Sequence, residues 1–407
     1  MNKTLILIIM MLTSAVSIMS TDLYAPSLPH LAELLDTTPD WVKLTLGLNA
    51  MAYGIAQLFF GPMSDRFGRR PLMLFGVISF SLFSLLCALV DDIYQLIGMR
   101  VLQGISAGAG AVLVLAVITD IFPSKERIKA LALYGSVLAL APALAPTIGG
   151  YIHVNLGWRY NFYLLALVAT IISIMALRYL PETNKELKKS MPVAGVLNGY
   201  LGLLKDPAFV GYSLLTSCAL ASVFAFVAAG PFILINQFSV ATEHYGYYQL
   251  ITVLFFILGS WVSAMIAEKV STRRLLSCGL LLFTSGAMAL VLIIYNQALS
   301  PTSLIVAVGI MNIGLGPIFA VAPSLAMNTK SAPSGVAAAM LGCLEMVGPT
   351  LAAISIGVFH DGSAMPYGIT VLVIALTALV LYCLVLRSHD GQRLLQKDNS
   401  SANSLAH

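Results

Sequence analysis

Apolar residues run along this chain in long unbroken blocks, separated by short stretches that hold charges or turn residues. A helix crosses the hydrocarbon core of a bilayer with about 20 apolar residues. The blocks predict twelve such spans, at 4–24, 41–61, 71–90, 95–119, 130–150, 159–179, 208–232, 246–267, 274–295, 301–323, 336–358 and 366–386. A membrane barrel would show segments of about ten residues alternating in polarity, and these blocks do not alternate. The expected fold is an all-α membrane protein, its twelve transmembrane helices arranged as two six-helix bundles. The first block follows Lys3 as a leader would, but it meets no clear small-x-small site and continues to Asp22 and Tyr24. It reads as a retained first helix.

Four regions are expected: an N-terminal bundle at 1–180, a cytoplasmic linker at 181–206, a C-terminal bundle at 207–387 and a disordered cytoplasmic tail at 388–407. The linker is basic at Lys185, Lys188 and Lys189. Val193, Val196, Leu197, Tyr200, Leu201 and Leu204 then share one face at helical spacing, which predicts a short helix lying on the membrane surface. Asp206-Pro207 reads as an N-cap and first-turn proline opening span 7. Two echoes relate the halves. Gly135 precedes Pro142 in span 5 as Gly342 precedes Pro349 in span 11, and Asp65-Arg66…Arg69-Arg70 is matched loosely by Glu268-Lys269…Arg273-Arg274. Such register is expected of a duplicated transporter.

Composition sharpens this picture. Hydrophobic residues make up 58% and charged residues 10%, too few polar groups to cover a soluble fold of this size. Disorder, a secreted disulfide scaffold and nucleic-acid binding are excluded on the same grounds. The basic residues segregate: 19 of the 22 Lys and Arg fall at one end of the spans. The positive-inside rule makes that end, with both termini, cytoplasmic. His30, His153, His244 and His360 fall at the other end, as solvated loop residues or as a pH sensor. The five cysteines lie in spans without metal-ligand spacing and read as packing residues. No Walker A, H-E-x-x-H or G-x-S-x-G motif occurs, so neither ATP-driven transport nor a common hydrolase is expected. The chain reads as no enzyme, with no cofactor.

Charge within a span is costly and is a functional hypothesis by default. Asp22, Arg100 and Glu345 are the deep charges. Asp22 either caps the end of span 1 or faces inward along the Ser14, Ile18, Asp22 stripe. Arg100 heads a face of Gln103, Gly104, Ala107, Gly108 and Ala111, small enough for a neighbouring helix to approach. Glu345 shares its face with Ala338, Gly342, Pro349 and Ala352. A carboxyl that changes protonation as its access to water changes is what proton coupling requires; a permanently protonated structural Glu is the alternative. Asn49, Tyr53 and Gln57 form one polar face of span 2, expected to line a cavity. Asn312 and Asn236-Gln237 are weaker candidates.

The segment after span 2 reads Gly61-Pro-Met-Ser-Asp65-Arg66-Phe-Gly68-Arg69-Arg70. It resembles the signature loop of the major facilitator superfamily, G-x-x-x-D-R-x-G-R-R. The physical expectation is a latch, built from a fixed carboxylate at a helix N-terminus and arginines paired nearby. The resemblance implies that Asp65 faces the start of span 11 around Ser334-Gly335 and that Arg69 pairs with Asp120. Arg100-Val-Leu-Gln103-Gly104 resembles the superfamily's span-4 motif, whose Arg has been linked to proton movement. Span 5, from Gly135 through Pro142, Pro146, Gly149 and Gly150, resembles the motif of drug/proton antiporters, with Ala141 where a Gly usually precedes the Pro. Thr21-Asp22-Leu-Tyr24-Ala-Pro26-Ser-Leu-Pro29, Gly157-Trp158-Arg159 and Leu180-Pro-Glu-Thr183 are similar to the bicyclomycin/chloramphenicol-resistance (Bcr/CflA) branch. These likenesses imply an inner-membrane multidrug exporter, exchanging small amphipathic compounds for protons by alternating access. It would act as a monomer in the bilayer, with small-molecule substrates and no nucleic acid. Its expected lining is Asp22, Tyr24, Asn49, Tyr53, Gln57, Arg100 and Glu345, with Asp22, Arg100 and Glu345 handling the proton. A dedicated exporter of a metabolite or siderophore on the same fold is the alternative, and a membrane subunit of a larger complex the remote one.

Overall fold

A computed structural model describes residues 3–184, 193–267, 269–328 and 334–387. Among these, twelve helices are long and apolar enough to cross a membrane, one for each predicted block. They are Lys3–Asp22, Pro39–Phe67, Arg69–Leu89, Ile93–Ile121, Ser124–Leu156, Arg159–Tyr179, Pro207–Pro231, Tyr245–Ile266, Thr272–Tyr295, Pro301–Met327, Ser334–Val358 (interrupted at Met346) and Met365–Arg387. They are numbered spans 1 to 12. Large apolar side chains such as Leu167, Trp261 and Leu281 point outward from them, as helices in lipid require.

Local chemistry sets the ends. Asp92 opens span 4 by accepting from the N–H groups of Tyr94 and Gln95 at 2.7 and 3.1 Å. Asp206 does the same for span 7 with Ala208 and Phe209 at 2.9 and 3.1 Å, as its sequence predicts. Span 1 stops at Asp22, and the chain turns through Ala25–Ser27 into a short helix, Leu28–Leu34. A helix forms over Val193–Leu204, where the spacing predicts one, with Leu197, Leu201 and Leu204 exposed on one face. Lys185–Lys189, Glu268 and the tail 388–407 lie outside the described residues.

The chain divides into two compact units, Met1–Val196 with Ser239–Tyr247, and Leu197–Phe238 with Tyr248–His407. Each is held by the same device. In the first, span 4 presents Gly104 and Gly108 to the backbone of span 2: a Cβ at either would collide with the carbonyl of Asn49 or of Tyr53. Across this contact Asn49 Nδ2 donates to the carbonyl of Arg100 at 2.7 Å. In the second unit, Gly316 lies against Gly259 of span 8, and Gly259 against the carbonyl of Ile313. There Asn312 Nδ2 donates to the carbonyl of Thr252 at 2.8 Å. Small residues bring the backbones close, and an amide ties them where no water competes.

The polar face of span 2 is therefore largely a packing face. Asn49 and the backbone of Tyr53 meet span 4 because glycines leave room for them, and the expectation that this stripe lines a cavity is corrected to that extent. The cysteines divide too: Cys87 and Cys218 are buried, Cys343 is half-buried, and Cys278 and Cys383 are exposed.

Replacing Gly104 by Val should cost about 1–3 kcal/mol by overpacking and lower the thermal midpoint of the purified protein. Gly135→Ala should leave it unchanged, because nothing lies within 4 Å of a Cβ there. Equal midpoints for Gly104→Val and the parent protein would count against the glycine contact as the main brace of this unit.

Candidate functional site

Two polar clusters form in the first unit. The inner one surrounds Arg100, which is fully buried. Its Nη1 donates to the carbonyl of Ser20, in the last turn of span 1, at 3.0 Å, and to Gln103 Oε1. Gln103 Nε2 in turn donates to Ser84 Oγ at 2.7 Å. Nε and Nη2 of Arg100 have no hydrogen-bond partner. The guanidinium instead lies over the Tyr24 ring, 4.7 Å from its centroid, and 5.9 Å from that of Phe162. A desolvated cation on an aromatic face gains about 2 kcal/mol. Tyr24 is fixed from its other end, its hydroxyl 2.6 Å from Thr45 Oγ1. Spans 1, 2, 4 and 6 thus converge on one cation.

Of the expected lining residues, Tyr24, Asn49 and Arg100 belong to this knot. Tyr53 is half-buried, and Gln57 is buried with its Nε2 3.5 Å from the Tyr53 carbonyl in its own helix. Asp22 is buried without a hydrogen bond or ion pair, so Arg100 takes the Ser20 carbonyl rather than the Asp22 carboxylate. Glu345 belongs to the other unit. It is half-buried and its carboxyl also has no hydrogen bond or ion pair.

The second cluster is at the basic end. The helix of span 2 continues to Phe67 and span 3 begins at Arg69, so the signature segment is helical on both sides of Gly68. Arg69 Nη1 pairs with Asp65 Oδ1 at 2.7 Å, and Arg69 Nε with Asp120 Oδ2 at 3.4 Å; the pairing with Asp120 is the one the resemblance implies. Ser64 Oγ also accepts from Arg69. Arg66 is exposed, its guanidinium 5.1 Å from the Phe67 ring.

Asp65 sits in the last turns of span 2, and the N-terminus of span 3 is met by a carboxylate from elsewhere. It is Glu182, just after span 6. Its Oε1 and Oε2 accept from the backbone N–H groups of Arg69 and Arg70 at 2.9 and 3.1 Å. Such a carboxylate stabilises a helix start by about 1 kcal/mol. Gly68 makes the approach possible. Its φ of +97° favours glycine, and Glu182 Oε2 occupies the space a Cβ would take. Thr183 Oγ1 donates to Asp120 Oδ2 at 3.1 Å, and Asn184 Nδ2 to the carbonyl of Asp65 at 3.2 Å. Sequence reading used Leu180–Thr183 only as a family likeness. The available signal was a carboxylate leaving span 6 at the end where span 3 begins.

The antiporter-like residues of span 5 split in use. The helix runs through Pro142 and Pro146 without interruption. Gly149 receives the carbonyl of Leu23, from the end of span 1, and Gly150 receives the backbone of Thr242. The histidines nearby are not free loop residues. His30 and His153 stack with centroids 4.8 Å apart, and His30 Nε2 is 3.0 Å from Thr242 Oγ1. Among the described residues no group of three or more His, Cys, Asp or Glu is placed to hold a metal ion.

Comparison with known proteins adds to this geometry. A family model described as Major Facilitator Superfamily matches residues 10–347. A bicyclomycin resistance protein homolog of Haemophilus influenzae is 29% identical over 347 residues, 84% of this chain and 83% of its own. Multidrug resistance protein D of Escherichia coli is 26% identical over 402 residues, 96% of this chain and 98% of its own. A bacterial homolog of the human lysosomal transporter Spinster, solved inward-facing and unoccupied, superposes with a TM-score of 0.75 at 15% identity, over 97% of each chain.

Asp65→Asn and Glu182→Gln should each slow transport severalfold with normal expression. Because both groups act on Arg69, the double variant should be little worse than the poorer single one. Fully multiplicative losses in a liposome transport assay would show two independent devices. Arg100→Lys should lower the thermal midpoint, since a point charge replaces neither the planar stack on Tyr24 nor the forked donor.

Proposed function

Because the chain belongs to the major facilitator superfamily, and is thus a multi-pass secondary transporter of small molecules in a lipid bilayer and not an enzyme, we propose that it exports small amphipathic compounds, antibiotics among them, in exchange for protons. The relatives named for bicyclomycin and multidrug resistance support the export of drugs. The coupling reading is carried by one observation. Among the described residues, two carboxyls within spans, Asp22 and Glu345, have no hydrogen bond or ion pair, whereas Arg69 at the basic end pairs with Asp65 and Asp120. An unpartnered carboxyl in a span is free to take up and release a proton as water reaches it. Glu345 is the favoured carrier, because it is half-open and no Asp, Glu, Lys or Arg shares its half-helix. Arg100 then holds the end of span 1, and with it the position of Asp22.

The same knot bears on the substrate. A dedicated carrier recognises its cargo through several fixed polar groups. Here Asn49, Arg100 and Gln103 are committed to neighbouring helices, which supports broad export over a single polar metabolite. The positive-inside rule puts the basic end and both termini in the cytoplasm, in the inner membrane of a bacterium. One chain carries all twelve spans, and the working form is a monomer.

The test is the purified protein in liposomes under an imposed pH gradient, with bicyclomycin and a fluorescent lipophilic cation as probes. Wild type should accumulate both, driven by the gradient. Glu345→Gln keeps the volume and mimics the protonated form. It should still bind neutral compounds but lose most of the pH-driven turnover. If Glu345→Gln responds to pH as wild type does, the carboxyl is structural and the coupling role passes to Asp22. No gradient-driven uptake by wild type would sink the antiport reading.

A further inference from the structure

Span 11 stops at Glu345 and restarts at Val347. The cause is local. Pro349 has no N–H, so the carbonyl of Glu345, four residues earlier, loses its helical donor. In lipid an orphaned carbonyl must find another. The donor is Ser217 of span 7, which is 2% exposed. Its hydroxyl donates to the Glu345 carbonyl at 3.2 Å and accepts from the Gly348 N–H at 2.7 Å. One side chain thus closes both sides of the break. Gly348 permits this approach, since a Cβ there would collide with the Ser217 backbone carbonyl. Span 5 carries the matching Gly-x6-Pro spacing, yet runs through its proline unbroken.

Glu345 is the last residue of the first half-helix, so the joint sets where its side chain points. We propose that Ser217 is the positioning residue for the Glu345 carboxyl. By bridging the Glu345 carbonyl and the Gly348 N–H, it fixes the angle between the two half-helices and so governs how transport responds to pH. This rests on the reading of Glu345 as the proton carrier. Among the described residues, the elements packed on this half-helix bring no charge to it. Spans 7 and 10 and the second half of span 11, which pack on this half-helix, hold no Asp, Glu, Lys or Arg. The titratable groups there are Tyr212 and Cys218 of span 7, Cys343 on the half-helix itself, and Tyr200 of the Val193–Leu204 helix beside Cys343.

The experiment uses the full-length protein in liposomes and three variants: Ser217→Ala, Pro349→Ala and the pair together. Two quantities are read, the pH midpoint of gradient-driven lipophilic-cation transport and deuterium uptake at the amides of residues 345–350. Ser217→Ala should move the pH midpoint and speed exchange at the Gly348 amide about fivefold, the effect of the one hydrogen bond that this N–H loses. Pro349→Ala supplies an N–H that the Glu345 carbonyl can use in an ordinary helical turn. It should therefore make the hydroxyl dispensable, and the double variant should return to the midpoint and exchange of Pro349→Ala alone. Wild-type midpoint and exchange in Ser217→Ala overturn the proposal, as does a double variant as perturbed as Ser217→Ala. Glu345→Gln separates the two readings. If it keeps the wild-type pH profile while Ser217→Ala still loosens the amides, Glu345 is not the carrier and Ser217 is only a structural joint.

Discussion

In hydrocarbon, every backbone N–H and C=O must find a partner inside the protein. An intact helix meets that demand alone. Each departure from helix therefore has to be covered by a side chain from elsewhere, and these points of cover are where the polar chemistry of the protein gathers. At the end of span 1 the Ser20 carbonyl is taken by Arg100. At the start of span 3 the N–H groups of Arg69 and Arg70 are taken by Glu182. At the break in span 11 the Glu345 carbonyl and the Gly348 N–H are taken by Ser217. One rule thus accounts for a buried arginine in span 4, a glutamate just after span 6 and a buried serine in span 7.

The same medium decides how the helices associate. Burying apolar side chains brings no advantage against lipid tails, so close packing and interhelical hydrogen bonds must hold each bundle. The two units answer alike, with glycine on the approach and an asparagine amide across it. The echo is functional rather than literal: Asn49 sits on span 2 and reaches span 4, whereas Asn312 sits on span 10 and reaches span 8. The physical device is the same in both units, and only the helix that supplies its donor differs. The proline echo diverges further. Span 5 keeps its line through Pro142, and span 11 breaks before Pro349 because a serine stands ready to occupy the gap.

Charge at the basic end obeys a different economy. Arg69 is held by Asp65, Asp120 and Ser64 together, in contact with water and within a single unit. The carboxyls of Asp22 and Glu345 have no such partner.

Much of this was written in the order of residues. Unbroken blocks of about 20 apolar residues determine twelve helices, because lipid leaves the backbone only helices or closed barrels and a barrel strand would alternate in polarity. Asp206 marks its helix start, since a cap is made within three residues of chain. The Gly68–Arg70 signature and the Arg69–Asp120 pair were legible as well, through a spacing that reports a family. The helix at Val193–Leu204 followed from the spacing of its leucines. What the order of residues left open was contact between distant segments. Sequence placed Asn49 on a polar stripe but could not say that glycines of span 4 would turn that stripe into a packing face. It put Asp65 at the latch and passed over Glu182, which lies more than a hundred residues away from the N–H groups it covers. It showed Glu345 and Pro349 in one span and gave no sign that Ser217, in another, joins them. Those pairings were decided only in the tertiary structure, because a missing backbone partner specifies the kind of group required and not the helix that supplies it.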